Sequence, residues 1–163
     1  MRSDEVSENK FGDGGCQCGK IRYRLTGKPL MLYVCHCSDC QKQSGSAFGM
    51  SLIMHPRQIE FIQGAESLRS WDTPGDDGLI KRCYFCPNCG TRVMHGSNDP
   101  SQNVSIKAGS LDDTRGLQPT AQIWLQSAQP WVSVDRSQYT CFDTEPDDRT
   151  LLSKPPAAVP DHG

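Results

Sequence analysis

The sequence lacks any long apolar run. It contains no stretch of about 18 apolar residues, the length at which a segment becomes a candidate membrane-spanning helix. Residues 1–13 are polar and of mixed charge, so no apolar signal segment opens the chain. The 17 Lys and Arg are scattered among 19 Asp and Glu, and the net charge of -2 argues against an extended phosphate-binding face. We therefore expect a cytoplasmic protein that binds neither membranes nor nucleic acid.

Apolar residues and helical patterns are also scarce. Hydrophobic residues make up 36% of the chain, while 15 Gly and 11 Pro supply many turns, so the core is expected to be small. Apolar and polar residues alternate in Ile21–Leu25 and Val104–Ala108, which is typical of half-buried strands, and only Ser38–Ser44 fits a helical turn. The sequence therefore predicts a mainly β fold. Further short strands are predicted at Leu30–Val34, Phe48–Met54, Ile59–Ile62, Leu79–Phe85, Arg92–His95, Ala121–Leu125 and Trp131–Val134.

The two ends of the chain differ in composition from its middle. Residues 1–13 hold four acids and two bases with few apolar side chains, and residues 143–163 combine charges with four prolines. Such compositions predict tails. Because a chain of this length can bury one usable core, we expect a flexible N-terminal tail at 1–13, a single domain at 14–142 and a Pro-rich acidic C-terminal tail at 143–163.

Cysteine, by contrast, is plentiful. Seven of the nine cysteines stand in three short clusters, Cys16-Gln17-Cys18, Cys35-His36-Cys37-Ser38-Asp39-Cys40 and Cys86-Pro87-Asn88-Cys89. The odd total and the close pairs favour reduced thiolates that converge on metal over a disulfide network. Seven thiolates divide into one closed four-sulfur site and one three-sulfur site. A zinc ion with four protein ligands is structural, whereas one with three can also bind a substrate or an activated water.

A closed site is predicted from Cys16, Cys18, Cys86 and Cys89. A C-x-C pair in an extended segment directs both side chains to the same face. The C-x-x-C pair lies on a tight turn in which Pro87 fixes one backbone angle, and such a turn aims two sulfurs at one point. We expect these four cysteines to bind a structural zinc that joins the N-terminal strand to a distant hairpin.

An open site is predicted from Cys35, Cys37 and Cys40. These three donors lie within six residues, and no fourth thiolate is near them in sequence, so one coordination position can remain free. Two alternatives stay open. Cys83 could close this site and leave two structural ions, or the C-x-x-C-x-x-C spacing that begins at Cys83 could mark part of an iron–sulfur cluster.

The sequence also allows predictions for the roles of three single residues outside the ligand set. His36 stands between two ligand cysteines and either supports the ligands, faces a substrate, or is simply packed. His95 is predicted to be structural. Cys141 is predicted to be a thiol without a role.

Three segments resemble a known family. They are Gly15-Cys16-Gln17-Cys18-Gly19-Lys20-Ile21-Arg22-Tyr23, Cys35-His36-Cys37-Ser38-Asp39-Cys40-Gln41-Lys42-Gln43-Ser44-Gly45 and Phe85-Cys86-Pro87-Asn88-Cys89-Gly90-Thr91. These segments are similar to the glutathione-dependent formaldehyde-activating enzyme (Gfa-like) family, which also includes the centromere protein V type. Weaker similarity extends the match to roughly residues 12–135.

The resemblance implies a small zinc-stapled β-tent (Mss4-like) domain with two zinc ions. Cys16, Cys18, Cys86 and Cys89 match the structural-ion positions, and Cys35, Cys37 and Cys40 match the catalytic-ion positions. The activity implied is the condensation of glutathione with formaldehyde to S-hydroxymethylglutathione, which is classed as a carbon–sulfur lyase reaction. At Gln122 this chain departs from many relatives, which carry histidine there.

Substrate contacts are predicted just after the open site. Gln41, Ser44 and Gly45 follow its last cysteine, and a short helix start there could offer backbone N–H groups to a carboxylate. The leading hypothesis is a zinc-dependent carbon–sulfur lyase whose partners are a small thiol such as glutathione and a small aldehyde. The alternatives are a non-catalytic scaffold module of the centromere protein V type and a zinc-thiolate redox sensor. The chain could form a homodimer.

Overall fold

The computed structural model of the protein describes residues 10–75 and 78–147. Within these ranges the chain forms eleven strands, one α-helix and four short 3-10 helices. The strands are β1 (Lys10–Gly15), β2 (Arg22–Thr26), β3 (Met31–Cys35), β4 (Gly49–Met54), β5 (Ile59–Gln63), β6 (Arg69–Pro74), β7 (Ile80–Phe85), β8 (Arg92–Ser97), β9 (Val104–Lys107), β10 (Ala121–Ile123) and β11 (Thr140–Cys141). The α-helix is α1 (Ser38–Ser44), and the 3-10 helices are Pro56–Gln58, Ala65–Ser67, Ala108–Ser110 and Leu125–Ser127.

The strands form two sheets. The small sheet has the order β1-β2-β5 and is antiparallel. The large sheet has eight strands in the order β11-β10-β3-β4-β9-β8-β7-β6. Most of its neighbours are antiparallel, but β10 pairs in parallel with both β3 and β11. The short strands and the many antiparallel pairs agree with the alternating sequence pattern.

The main core lies between the small sheet and one face of the large sheet. It contains apolar residues from both sheets, Ile21, Tyr23, Leu25, Leu52, Met54, Val93 and Ile106. A second cluster covers the opposite face of the large sheet, and it contains Met31, Tyr33, Cys35, Cys40, Ile53, Ala121 and Ile123. All five residues of β3 are buried, and Met31, Tyr33 and Cys35 belong to the second cluster while Leu32 belongs to the main core. A strand covered on both faces needs such a continuous apolar run.

The mainly β prediction is confirmed, and the predicted helical turn has the same bounds as α1. The strand predicted at Trp131–Val134 is wrong, because these residues form a turn followed by irregular chain. The indole of Trp131 is 71% exposed, and the N–H of Val132 donates to the carbonyl of Gln129 across the turn. Their apolar spacing therefore does not mark the buried face of a sheet.

The sequence pattern does not predict β1, β6 or β11. β1 is rich in glycine, and a Cβ atom on Gly15 would lie 2.1 Å from the carbonyl oxygen of Ile21. The chain can make this close approach only with glycine. β6 is an edge strand with exposed polar residues and Pro74 at its end. Edge strands need no apolar face, so alternation does not reveal them.

The predicted tails fall mostly on residues that the structure leaves out. Residues 1–9 and 148–163, and residues 76–77 of one predicted turn, lie outside the described ranges. The predicted domain boundary at residue 14 falls inside β1. In the described part of the chain, no helix has both the length and the apolar character needed to cross a bilayer.

Candidate metal centres

Four cysteine sulfurs meet where two turns come together, and we call them the four-sulfur group. The Sγ atoms of Cys16, Cys18, Cys86 and Cys89 all lie within 4.8 Å of one another. The first two cysteines stand in the turn between β1 and β2, and the other two stand in the turn between β7 and β8. The sequence predicted an extended segment for the first pair, and a turn directs the two sulfurs to one point equally well. The group joins the small sheet to the large sheet.

Hydrogen bonds shape the second of these turns. The N–H of Gly90 donates to the carbonyl of Cys86 at 2.8 Å, and Gly90 has a φ of 77°, which favours glycine. The hydroxyl oxygen of Thr91 accepts the N–H of Gln17 at 3.1 Å and lies 3.2 Å from the sulfur of Cys89. The hydrogen bond from Thr91 lowers the pKa of Cys89 to about 5, so this thiol is readily ionised as a metal ligand.

Three further sulfurs, from Cys35, Cys37 and Cys40, form the three-sulfur group and also lie within 4.8 Å of one another. Cys35 ends β3, Cys37 is the N-cap of α1, and Cys40 lies in the first turn of that helix. The sulfur of Cys37 accepts the N–H of Cys40 at 3.3 Å. Hydrogen bonds from the thiols of Cys35 and Cys40 lower the pKa of Cys37 to about 2. The hydrogen bond with Cys37 raises the pKa of Cys35, so negative charge is stabilised at the sulfur of Cys37 and not over the whole group.

Cys83 belongs to neither group. Its sulfur is buried on β7 and lies 3.8 Å from the Nε2 atom of Gln43. Across residues 10–75 and 78–147, no fourth His, Cys, Asp or Glu ligand atom joins the three-sulfur group at that mutual spacing. The alternative in which Cys83 closes this site is therefore not what the structure shows. The C-x-x-C-x-x-C run that could mark an iron–sulfur cluster does not converge on one point, because Cys86 and Cys89 lie in the four-sulfur group and Cys83 does not.

His36 is packed beside the three-sulfur group and is not one of its ligands. Its side chain is 1% exposed, and its Nε2 atom lies 2.7 Å from the Oε1 atom of Gln122. Its backbone N–H donates to the carbonyl of Ile123, and its ring meets that of Phe48 edge to face at 5.6 Å. Of the roles left open by the sequence, these contacts fit packing and support of the neighbouring ligands, and the buried side chain does not face a substrate. Gln122 is buried as the partner of this histidine.

The predicted substrate contacts lie next to the three-sulfur group but make internal hydrogen bonds. The amide nitrogen of Gln41 donates to the carbonyls of His36 and Ser127, at 2.7 and 2.9 Å. The hydroxyl of Ser44 donates to the carbonyl of Cys40 at 2.7 Å. Gly45 is the C-cap of α1, and its N–H points back to helix carbonyls. A substrate role for Gln41, Ser44 and Gly45 stays a prediction.

A cleft of about 260 Å³ opens beside Cys40. Its lining contains two cations, Arg92 and Lys107, and no Asp or Glu among the described residues. The Nη1 atom of Arg92 donates to the Oε1 atom of Gln43, whereas its Nε and Nη2 atoms are buried and have no hydrogen-bond partner in the structure. The other lining residues are Cys40, Gln43, Ser44, Phe48, Gly49, Met50, Thr91, Gly109 and Ser110. Cys40 of the three-sulfur group and two positively charged side chains therefore line the same cleft.

Sequence reasoning did not find Arg92 or Lys107. In the large sheet, Tyr33 pairs with Ser51, and Ser51 pairs with Lys107. Residues paired in this way present their side chains on the same face, and Cys35 follows Tyr33 by two residues on that face. The Nζ atom of Lys107 donates to the hydroxyl of Ser51 at 3.3 Å. The one signal in the sequence is a lysine inside an alternating strand. Its place beside the three-sulfur group can be known only from the register of the strands.

A second cleft, of about 500 Å³, lies on the same face of the large sheet. Asp39, Lys81 and His95 are among its lining residues. His95 was predicted to be structural, and its Nδ1 atom is buried without a hydrogen-bond partner in the structure. Burial, reinforced by nearby cations, lowers the pKa of His95 and keeps it neutral.

These features define the protein as a mainly β domain with two groups of thiols suited to bind metal. All nine cysteines lie in the described part of the chain, and each is a free thiol. The sequence model of the family described as "glutathione-dependent formaldehyde-activating enzyme" matches residues 12–127. That span is more than half of the chain and includes both cysteine groups, so the chain belongs to this family.

The chain also shares a distant likeness with a solved structure. A Rhodobacter sphaeroides protein, the target of a structural genomics crystal structure, is 15% identical to it with a TM-score of 0.49. The match covers 80% of this chain and 98% of that protein. A likeness at this level has no bearing on function.

Proposed function

We propose that the chain is a zinc-dependent enzyme that joins a small thiol to an electrophilic carbon. The candidate reaction is the addition of glutathione to formaldehyde, which gives S-hydroxymethylglutathione and is classed with the carbon–sulfur lyases. The family match supports the two substrates. The observation that carries the proposal is a group of three sulfurs that no fourth ligand joins in the described ranges and that borders a cleft.

The donor atoms of both groups suit zinc. Each group offers only thiols, and among the described residues no carboxylate joins either one. Soft thiolate ligands select zinc over the hard cations magnesium and calcium. We propose that the four-sulfur group holds a structural ion and that Cys35, Cys37 and Cys40 hold a catalytic one. Zinc bound at these three cysteines would lower the pKa of a thiol that takes the remaining position.

The reaction needs no oxidant or reductant. The thiol loses its proton, and its sulfur attacks the aldehyde carbon, so that a carbon–sulfur bond forms. The π electron pair of the carbonyl moves to its oxygen, which takes up a proton and becomes the hydroxyl of the product. In the cleft, Phe48 and Met50 would shield the sulfur from water, which strengthens electrostatic interactions there.

Residues around the three-sulfur group would fix its geometry. His36 lies between Cys35 and Cys37, and its contacts with Gln122 and Phe48 hold this segment against the sheet. Gln41 binds the carbonyl of His36 from the helix side. The three sulfurs are thus supported from β10 and from α1, as a site that must keep its ligands in place requires.

The test uses zinc-loaded protein, glutathione and formaldehyde, with adduct exchange followed by NMR. We expect exchange faster than the spontaneous rate, and we expect Cys37→Ser to abolish the acceleration. Cys141→Ser is the matched control, because Cys141 lies outside both groups and should retain activity. Fully zinc-loaded protein that gives no acceleration would reject this substrate pair and leave the scaffold alternative.

A further inference from the structure

The cleft beside Cys40 contains two cations that lack an anionic partner. Arg92 and Lys107 both line it, and neither forms an ion pair with a carboxylate in the described ranges. Other arginines of the chain do have such partners, as Arg22 has Asp112 and Arg82 has Asp72. The exposed Arg57 and Arg69 also form no ion pair in the described ranges, but Arg92 differs from them because two of its nitrogen atoms, Nε and Nη2, are buried without a partner.

The electrostatic balance favours an anion at this place. Buried charges are costly unless they are paired or hydrogen-bonded. Three thiolates and one divalent ion would leave a single net negative charge at the three-sulfur group, and a bound substrate thiolate would bring it to two, which equals the positive charge of Arg92 and Lys107. Lys81 adds a further positive charge that acts on both Cys37 and Lys107. An additional negative charge in the cleft would restore the balance.

The free atoms of Arg92 suit a carboxylate. A guanidinium presents donors in a planar fork that matches the two oxygens of a carboxylate. Gln43 engages Nη1, while Nε and Nη2 are buried and remain without partners. Gln43 thus holds the side chain in place without using its free donors.

We propose that Arg92 and Lys107 bind a carboxylate of the thiol substrate and make the site selective for thiol acids over neutral thiols. This inference rests on the proposed function and names the substrate class and the residues that select it. The cleft is close to the lower end of the roughly 300–1,000 Å³ of ligand sites, which suits a small molecule. The apolar walls at Phe48 and Met50 would pack against the methylene groups between the sulfur and the carboxylate.

The experiment compares two thiols that differ only in charge, mercaptopropionate and mercaptopropionamide. Each is titrated into cobalt-substituted protein, and binding is followed by the sulfur-to-metal absorption band. We expect the acid to bind wild-type protein about 10- to 100-fold more tightly than the amide, as for hydrogen bonds to charged groups. Arg92→Gln and Lys107→Gln should each remove most of this preference, because each should weaken binding of the acid far more than binding of the amide.

Two controls separate selection from general damage. Arg82→Gln removes an arginine of the neighbouring strand β7 that pairs with Asp72, and it should keep the preference. Arg92→Lys keeps the charge but not the fork, so part of the preference should return. Metal content and the thermal unfolding midpoint of each variant report whether it is folded and loaded.

Three outcomes would overturn the inference. Wild-type protein could bind acid and amide equally, both thiols could weaken equally in the folded variants, or neither thiol could bind. Equal weakening would mean that the two cations only balance the charge of the thiolates. Because the assay contains no aldehyde, a charge preference without formaldehyde chemistry would reject the proposed reaction alone. Acceleration of formaldehyde addition to acid and amide alike would reject the selectivity alone.

Discussion

In both cysteine groups the sulfurs lie within 4.8 Å of one another, but the groups differ in where their ligands come from. The four-sulfur group takes two ligands from each of two turns, and Cys18 and Cys86 are 68 residues apart in sequence. The three-sulfur group takes all its ligands from the single segment Cys35–Cys40. A metal that joins distant segments constrains the whole fold, whereas one bound within a segment constrains little beyond it. This difference in ligand origin is why we propose a structural role for the first group and a reactive role for the second.

Breaking the four-sulfur group should have the largest effect. Cys86→Ser removes a buried ligand from the group that joins the two sheets. We expect a loss of more than about 5 kcal/mol of unfolding free energy and of one zinc per chain, because structural zinc contributes folding energy directly. Zinc analysis and thermal unfolding followed by circular dichroism would check this. An unfolding midpoint equal to that of Cys141→Ser would contradict it.

Breaking the three-sulfur group should cost less stability. Cys37→Ser is expected to lower the unfolding free energy by at most about 3 kcal/mol, although it abolishes activity. The reason is that six consecutive residues can also bind zinc in the unfolded chain, and binding to that state cancels part of the stabilisation. Urea unfolding at fixed zinc concentration measures the difference. A loss as large as that of Cys86→Ser would remove the distinction between the groups.

The support of the three-sulfur group can be tested through Gln122. Gln122→Leu leaves the Nε2 atom of His36 buried without a partner, which should cost about 2 kcal/mol and weaken zinc binding at Cys35 and Cys37. Gln126→Leu changes an exposed glutamine and is the control. Chelator competition measures zinc affinity. Unchanged affinity would show that His36 fills space without positioning the ligands.

The charge of the cleft should depend on pH. Burial lowers the pKa of Lys107 to about 8, against an opposing effect of Cys40, so its charge is present below pH 8 and is lost as the pH rises through that value. The preference for mercaptopropionate over its amide should fall by up to about 10-fold between pH 7 and 9. Lys107→Arg should keep the preference at pH 9, because a guanidinium stays charged. Comparing wild-type protein with Lys107→Arg at each pH cancels the ionisation of the two thiols themselves. An equal fall in the arginine variant would assign the pH dependence to another group.

Local spacing explains why the two cysteine pairs and the three-sulfur group could each be predicted. Ligands one or two residues apart meet whenever the backbone turns or extends in its usual ways, so Cys16 with Cys18 and Cys86 with Cys89 needed no knowledge of the sheet. The bounds of α1 were also local, because Cys37 caps the helix and Gly45 ends it.

The features that were not predicted depend on contacts between distant residues. Lys107 reaches the face of the three-sulfur group only through its register with Ser51, 56 residues earlier. Arg92 is held in the cleft by Gln43, 49 residues earlier. The strand predicted at Trp131–Val134 failed for the same reason, since no strand within residues 10–75 and 78–147 pairs with this segment. The alternation of apolar and polar residues alone does not show whether another part of the chain will pack against the apolar face.

Because β3 is buried on both faces, the three-sulfur group can form only when this strand pairs with its neighbours in the correct register. Because neighbouring side chains of a strand point to opposite faces, a slip of one residue against β4 and β10 would exchange the two faces. Cys35 would then point into the main core, away from Cys37 and Cys40, and the apolar packing would be disturbed at the same time. Such a slipped chain would lose the three-sulfur group and part of its core packing together. Correct pairing of β3 during folding is therefore also what brings the three sulfurs together.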